Sequence, residues 1–246
     1  MNDNIIYGRN PVMEALSADV SIDKIFLQDG IQTASKITSQ AREKNIVFQF
    51  VHKRKLDEIT GNGNHQGVIA FVAVRKYVEV DDILEIAYSK NEPPFIVLVE
   101  NLTDPHNLGS VIRSANAAGA HGVIIPKNRS ATLNATVVKT SSGAVMHTAV
   151  AKVANISQTI EYLKKENVWV VGTDLSASLT PYEVDLKGSL AIVIGSEDKG
   201  ISRLAKEKCD FLVKIPMLGE VQSLNAGSAA AILLFEAVRQ RLSKMV

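Results

Sequence analysis

From residue 95 onward this chain alternates short apolar runs with helix-like runs, a pattern that leaves few folds open. The strand-like runs cover residues 95–99, 122–125, 149–153, 168–172, 191–194 and 211–215. Helix-like runs occupy 108–118, 135–142, 157–166, 202–208 and 224–242. Runs that are apolar throughout, instead of alternating, belong to strands buried on both faces, and helices spaced between them supply the cover. The expected fold class is therefore α/β, a parallel sheet with helices on both sides.

The first 75 residues read as a smaller α/β unit. Residues 10–16 suggest a short helix with Asn10 as cap and Pro11 at its first position. Strands are expected at 24–28, 47–51 and 67–74, and helices at 33–43 and 53–59. The glycine-rich loop from Gly61 to Gly67 and the basic run Lys53-Arg54-Lys55 are candidates for contact with a polyanion, although such a run is often only a solvated helix face. Residues 76–92 mix acidic and polar types and are followed by Pro93-Pro94, so they are expected to be a linker, with a helix possible over 80–87. The expected division is 1–75, linker 76–92, and 93–246.

Three loops of the second part carry groups that a packed core does not need. The first leads into a helix as Asn107-Leu108-Gly109-Ser110-Val111-Ile112-Arg113. Asn107 or Asp104 can cap that helix, and Arg113, set among small and apolar residues, wants a carboxylate or phosphate unless it lies on the surface. The second is Val193-Ile194-Gly195-Ser196-Glu197-Asp198-Lys199-Gly200, a buried strand ending in glycine, where a ligand can approach the backbone. The third runs from Lys214-Ile215-Pro216-Met217 to Ser223-Leu224-Asn225, where Ser223 or Asn225 can cap the long last helix. Loops leaving the C-terminal ends of parallel strands are where open α/β sheets bind ligands.

Other chemistries lack their residues. The five histidines form no metal-binding spacing, no G-x-S-x-G elbow is present, and the single Cys209, beside Asp210, is poorly placed to be a thiolate. Neither the dinucleotide fingerprint nor the P-loop is matched, which argues against a Rossmann dinucleotide enzyme. A net charge of +1 means that any nucleic-acid binding must come from local patches. No apolar run approaches the ~20 residues of a membrane span. The N-terminal residues lack a signal-peptide layout, and one cysteine fits a reducing compartment, so the cytoplasm is the expected location.

Taken in order, the three loops resemble the three signature motifs of the SpoU (TrmH-type) RNA 2′-O-ribose methyltransferases. Tyr7-Gly8-Arg9-Asn10-Pro11-Val12 and His65-Gln66-Gly67-Val68 are similar to the substrate-binding domain of the subfamily that modifies a guanosine of 23S ribosomal RNA. The resemblance implies an L30e-like RNA-binding domain followed by a SPOUT methyltransferase domain, a parallel sheet with a deep trefoil knot. It also implies a homodimer, with S-adenosylmethionine held by Gly195, Ile215 and Leu224. Arg113, Glu197, Ser223 and Asn225 then match the catalytic and RNA-positioning residues, Asn107 joins Arg113 in RNA binding, and Lys53, Arg54 and Lys55 are assigned to RNA contact. No metal is implied. A tRNA ribose methyltransferase and a non-catalytic RNA-binding knot protein are the alternatives; the joint presence of Arg113, Glu197, Ser223 and Asn225 speaks against the second.

Overall fold

The computed structural model describes residues 5–18, 20–31 and 34–243. The chain divides into two compact units: Met1–Lys76, with which Thr132–Ala135 associates, and the remainder from Tyr77 on. In the first unit a four-stranded sheet has the order β1-β4-β2-β3. Its strands are β1 (Ile5–Tyr7), β2 (Ile22–Gln28), β3 (Val47–Val51) and β4 (Val68–Val72). β4 runs antiparallel to β1 and β2, while β2 and β3 are parallel. Helices α1 (Arg9–Ser17), α2 (Ala34–Glu43) and α3 (Lys53–Thr60) cover it. The apolar run of β2 follows from burial on both faces: Ile25 and Leu27 join Val12, Leu16 and Ile37, whereas Phe26 joins Leu56 and Ile69.

Two expectations for this unit need correction. Asn10 is not a cap: α1 begins at Arg9 after Gly8, whose φ of 98° suits glycine. Pro11 therefore sits inside the first turn, where its missing N–H has no helical acceptor to lose. The short β1 went unforeseen, because three residues behind a polar start give no alternation to detect. Thr33, the expected first residue of the second helix, lies outside the described residues.

The second unit is built on six parallel strands in the order β10-β8-β9-β5-β6-β7. They are β5 (Phe95–Val99), β6 (Gly122–Pro126), β7 (Ala149–Val153), β8 (Trp169–Thr173), β9 (Leu190–Ile194) and β10 (Phe211–Val213). β5, β6 and β9 are buried along their whole length, which is why they read as unbroken apolar runs. Truncating Leu98, fully enclosed in this core, to alanine would cost about 2–5 kcal/mol. The helices are α4 (Val80–Ser89), α5 (Pro105–Ala117), α6 (Ala135–Thr140), α7 (Ile156–Lys165), α8 (Arg203–Lys208) and α9 (Ala226–Leu242).

The stretch 76–92 is not a bare linker. Most of it is α4, and Ile83 and Leu84 are part of the second unit's core. At its start the Glu79 N–H donates to Asp82 Oδ2 at 2.8 Å. At its end Glu92 Oε2 lies 3.0 Å from Nε2 of the buried His121, whose Nδ1 accepts from the Phe95 N–H at 3.0 Å. Burial lowers the His121 pKa despite this carboxylate, and the ring ties the segment after α4 to the start of β5.

Candidate active site

Two helix caps bring the three loops together. Asp104 accepts from the His106 N–H at 3.0 Å with Pro105 at the first helical position, so Asp104 and not Asn107 caps α5. Asn107 is thereby free to turn outward. Asn225 caps α9, its Oδ1 accepting from the N–H groups of Gly227 and Ser228 at 3.0 and 3.4 Å. Its amide donates at 2.7 Å to both Asn107 Oδ1 and Glu197 Oε1. Asn107 Nδ2 and the Ala226 N–H also donate to Glu197 Oε1, each at 3.1 Å. One carboxylate oxygen thus ties together loops that are 90 and 28 residues apart from it in sequence. Close approach of α9 to α5 makes this possible: a Cβ on Gly227 would lie 2.2 Å from Ser110 Oγ.

Beside this junction, at the C-terminal ends of β8, β9 and β10, lies a cavity of about 210 Å³. Thr173, Asp174, Gly195, Ile215, Ser223 and Leu224 are among its walls. It offers apolar surface from Ile215, Met217 and Leu224 next to the 195–200 turn. Gly195 lines the cavity and also has a local cause. A Cβ there would come within 2.1 Å of the Gly200 carbonyl carbon, so the glycine admits its own turn, closed by Gly200 N–H to Ser196 O at 2.8 Å.

Asp174 and Lys206 were not foreseen. Both line the cavity, and Lys206 Nζ lies 2.8 Å from Asp174 Oδ2. Burial pushes the Asp174 carboxyl up, but hydrogen bonds from Lys206 and from the Ser176 N–H and hydroxyl outweigh it and leave the group below its ordinary value. The signal in the sequence was a polar Thr173-Asp174 pair directly after an apolar strand. Lys206 gave none, being one of several charges on a short helix. Cys209 ends α8, and burial, followed by the nearby Asp210, pushes its thiol up to about 12, which makes it inert.

Arg113 is not brought to this cavity by its own chain. It is exposed on α5 and has neither an ion pair nor a side-chain hydrogen bond among the described residues. Asn107 and Glu197 instead open onto a second, wider crevice of about 800 Å³ between the loops after β5 and β9. In the first unit the basic run divides by role. Lys53 lines a polar cavity with Arg9, Asp57 and Asn64, Arg54 pairs with Glu58 at 3.2 Å, and Lys55 stacks 5.0 Å over the Phe26 ring. Among the described residues no group of three His, Cys, Asp or Glu is placed to hold a metal, and no helix is long and apolar enough to cross a membrane.

The model of the SpoU rRNA methylase family matches residues 94–235, more than half of the chain. The chain belongs to this family of RNA methyltransferases. Residues 5–78 match a second model, described as RNA 2′-O ribose methyltransferase substrate binding. The chain is 46% identical over 238 residues to the putative TrmH family tRNA/rRNA methyltransferase YacO of Bacillus subtilis, covering 96% of this chain and 95% of that one. It is similar in structure to the SpoU methyltransferase AviRb from Streptomyces viridochromogenes in complex with AdoMet, with a TM-score of 0.62 and 26% identity over 97% of this chain and 90% of the other. An AdoMet-bound rRNA methyltransferase from Sinorhizobium meliloti aligns with a TM-score of 0.61 and 25% identity over 96% and 87%. The SPOUT α/β class expected of the second unit is the class of these relatives.

Proposed function

We propose that this protein is a cytoplasmic homodimer that transfers the methyl group of S-adenosylmethionine to a guanosine 2′-hydroxyl of 23S ribosomal RNA. The observation that carries this is the junction of Asn107, Glu197 and Asn225 beside the cavity at the ends of β8, β9 and β10. The cavity suits the cofactor: Ile215 and Leu224 offer apolar surface for an adenine, backbone at Gly195 and Ile215 offers donors and acceptors, and Asp174 with Lys206 can face a zwitterion. When bound, S-adenosylmethionine supplies an activated methyl group on a sulfonium. The knot expected of this family passes through the same loops.

The protein's own residues then have to hold the ribose and ease the loss of its hydroxyl proton. Glu197 Oε2 has no partner among the described residues and points the junction toward substrate, where it can accept a hydrogen bond from the ribose. Ser223, on the cavity wall, and Asn225 orient the same group. Arg113 serves from the second copy of the dimer: it is exposed, unpaired and outside the cavity of its own chain, and a guanidinium that stays protonated is suited to holding phosphate and stabilising a developing oxyanion. In the first unit Lys53 and the 61–67 loop contact RNA.

Ribosomal RNA is favoured over tRNA by coverage. The Sinorhizobium rRNA methyltransferase aligns with 96% of this chain, whereas the Aquifex aeolicus TrmH/SpoU tRNA modifying enzyme aligns with 67%. The test is methyl incorporation from labelled S-adenosylmethionine into 23S ribosomal RNA and into bulk tRNA, followed by mapping of the modified ribose. Label in tRNA alone would overturn the substrate assignment, and label on a base would overturn the 2′-O assignment. Cofactor binding without transfer to any RNA would leave a non-catalytic binder.

A further inference from the structure

The crevice between the loops after β5 and β9 has a position that general rules make a ligand site. β5 and β9 are neighbours, yet the chain leaves β5 toward β6 on one side and β9 toward β10 on the other. Such a reversal splits the loops at the carboxyl ends of the two strands and opens a crevice there. This one holds about 800 Å³ and shares the Ser196–Lys199 turn with the cofactor cavity, so an occupant of the crevice lies against the methyl donor's site.

Its charges are unequally committed. Asp104 is occupied in capping α5, and Glu197 Oε1 in the three-loop junction. Arg129, Lys199 and Asp198 also line the crevice, each without a side-chain partner among the described residues, so two free cations stand there with one free carboxylate besides Glu197 Oε2. The backbone presenting Arg129 is under constraint: its φ is 56°, a left-handed conformation in which few residues other than glycine or asparagine are comfortable. The turn is held there by the Ala131 N–H donating to Leu102 O at 2.7 Å, which fixes it to the β5 loop. Asn101, on that loop and on the same crevice, is left-handed as well, at φ 59°. Asparagine adopts this conformation readily, so the strain is at Arg129, and strained residues held by their surroundings gather at functional sites.

We infer that this crevice receives the target nucleotide and that Arg129 is its phosphate anchor, with the Lys199 ammonium as a second, weaker anchor. A guanidinium presents a fork of donors matched to phosphate oxygens, and an exposed, unpaired one has no ion pair to break before binding. This rests on the RNA methyltransferase reading above, and it adds a substrate-binding residue outside the three motifs.

The experiment measures methyl transfer to a 23S ribosomal RNA transcript as a function of RNA and salt concentration, with cofactor affinity by calorimetry. R129A is expected to raise KM for RNA about tenfold, as removal of one charged phosphate anchor does, with kcat and cofactor Kd changed by less than about twofold. The slope of log affinity against log salt should become shallower by about 0.7, the share of a single phosphate in a single-stranded RNA. R129N is the fold-preserving variant, since asparagine tolerates the left-handed backbone, and it should share the KM defect; R129K should recover most of the native KM. A native KM and salt slope in R129N would overturn the inference while leaving the methyltransferase reading intact. Failure of the wild-type protein to methylate any RNA would remove both.

Discussion

Asn225 holds two jobs at one position, and substitutions can separate them. Its Oδ1 caps α9 through Gly227 and Ser228, while its amide bridges Asn107 and Glu197. Serine at this position keeps an oxygen for the cap at nearly no cost but has no amide to bridge. The two bridging bonds are exposed to solvent, so each contributes about 0.5 kcal/mol and N225S should lose about 1 kcal/mol. Alanine loses the cap as well, worth about 1 kcal/mol, and should lose about 2 in all. At about 2–4 °C per kcal/mol for a protein of this size, the melting temperature should fall about 2–4 °C in N225S and about 4–8 °C in N225A. Turnover should behave differently: both variants release the same junction, and displacing reacting groups by about an ångström can cost about a hundredfold. Thermal unfolding by circular dichroism and methyl transfer to ribosomal RNA measure the two quantities. Native turnover in N225S would show that the bridge has no part in the chemistry. Equal stability of the two variants would refute the assignment of the cap.

Three other perturbations test separate parts of the site. R113A should lower turnover about a hundredfold with cofactor affinity unchanged; if the arginine acts across a dimer, mixing it with N225A should restore about a quarter of the native rate, since half the dimers are mixed and each has one intact site of two. Asp174 has a folded-state pKa below its ordinary 3.8, so its stabilising contribution is complete above that value and is lost as pH falls through the lower folded pKa; D174N should flatten this acid limb in unfolding scans and weaken cofactor binding, and an unchanged limb would remove the Lys206 pair as its cause. K53E should weaken RNA binding about tenfold at low salt and R54E about twofold or less, because Arg54 is already engaged by Glu58; equal effects in a filter-binding assay would count against a specific role for Lys53.

The sheet of the second unit was legible because β5, β6 and β9 are buried on both faces and therefore apolar at every position. Asn225 was legible as a cap because capping uses a short polar side chain at one fixed offset from a helix. What escaped depends on packing between segments distant in sequence. The helix of α4 was foreseen but its place in the core was not, since its three acidic, solvent-facing residues equal in number Ile83, Leu84 and Ala87, the ones that pack inward. The crowding of Gly195 by Gly200, five residues on, is a second requirement for glycine that the sequence did not signal. The Asp174–Lys206 pair and the exposed setting of Arg113 belong to three-dimensional placement, which no local pattern encodes.

Glu197 spends one oxygen on fastening three loops and leaves the other toward solvent. Architecture and reactivity are therefore fused in a single side chain, and neither can drift without disturbing the other. New RNA targets would have to be acquired at the periphery, through residues that touch the nucleic acid without bracing the scaffold, while the acid at the hub stays fixed.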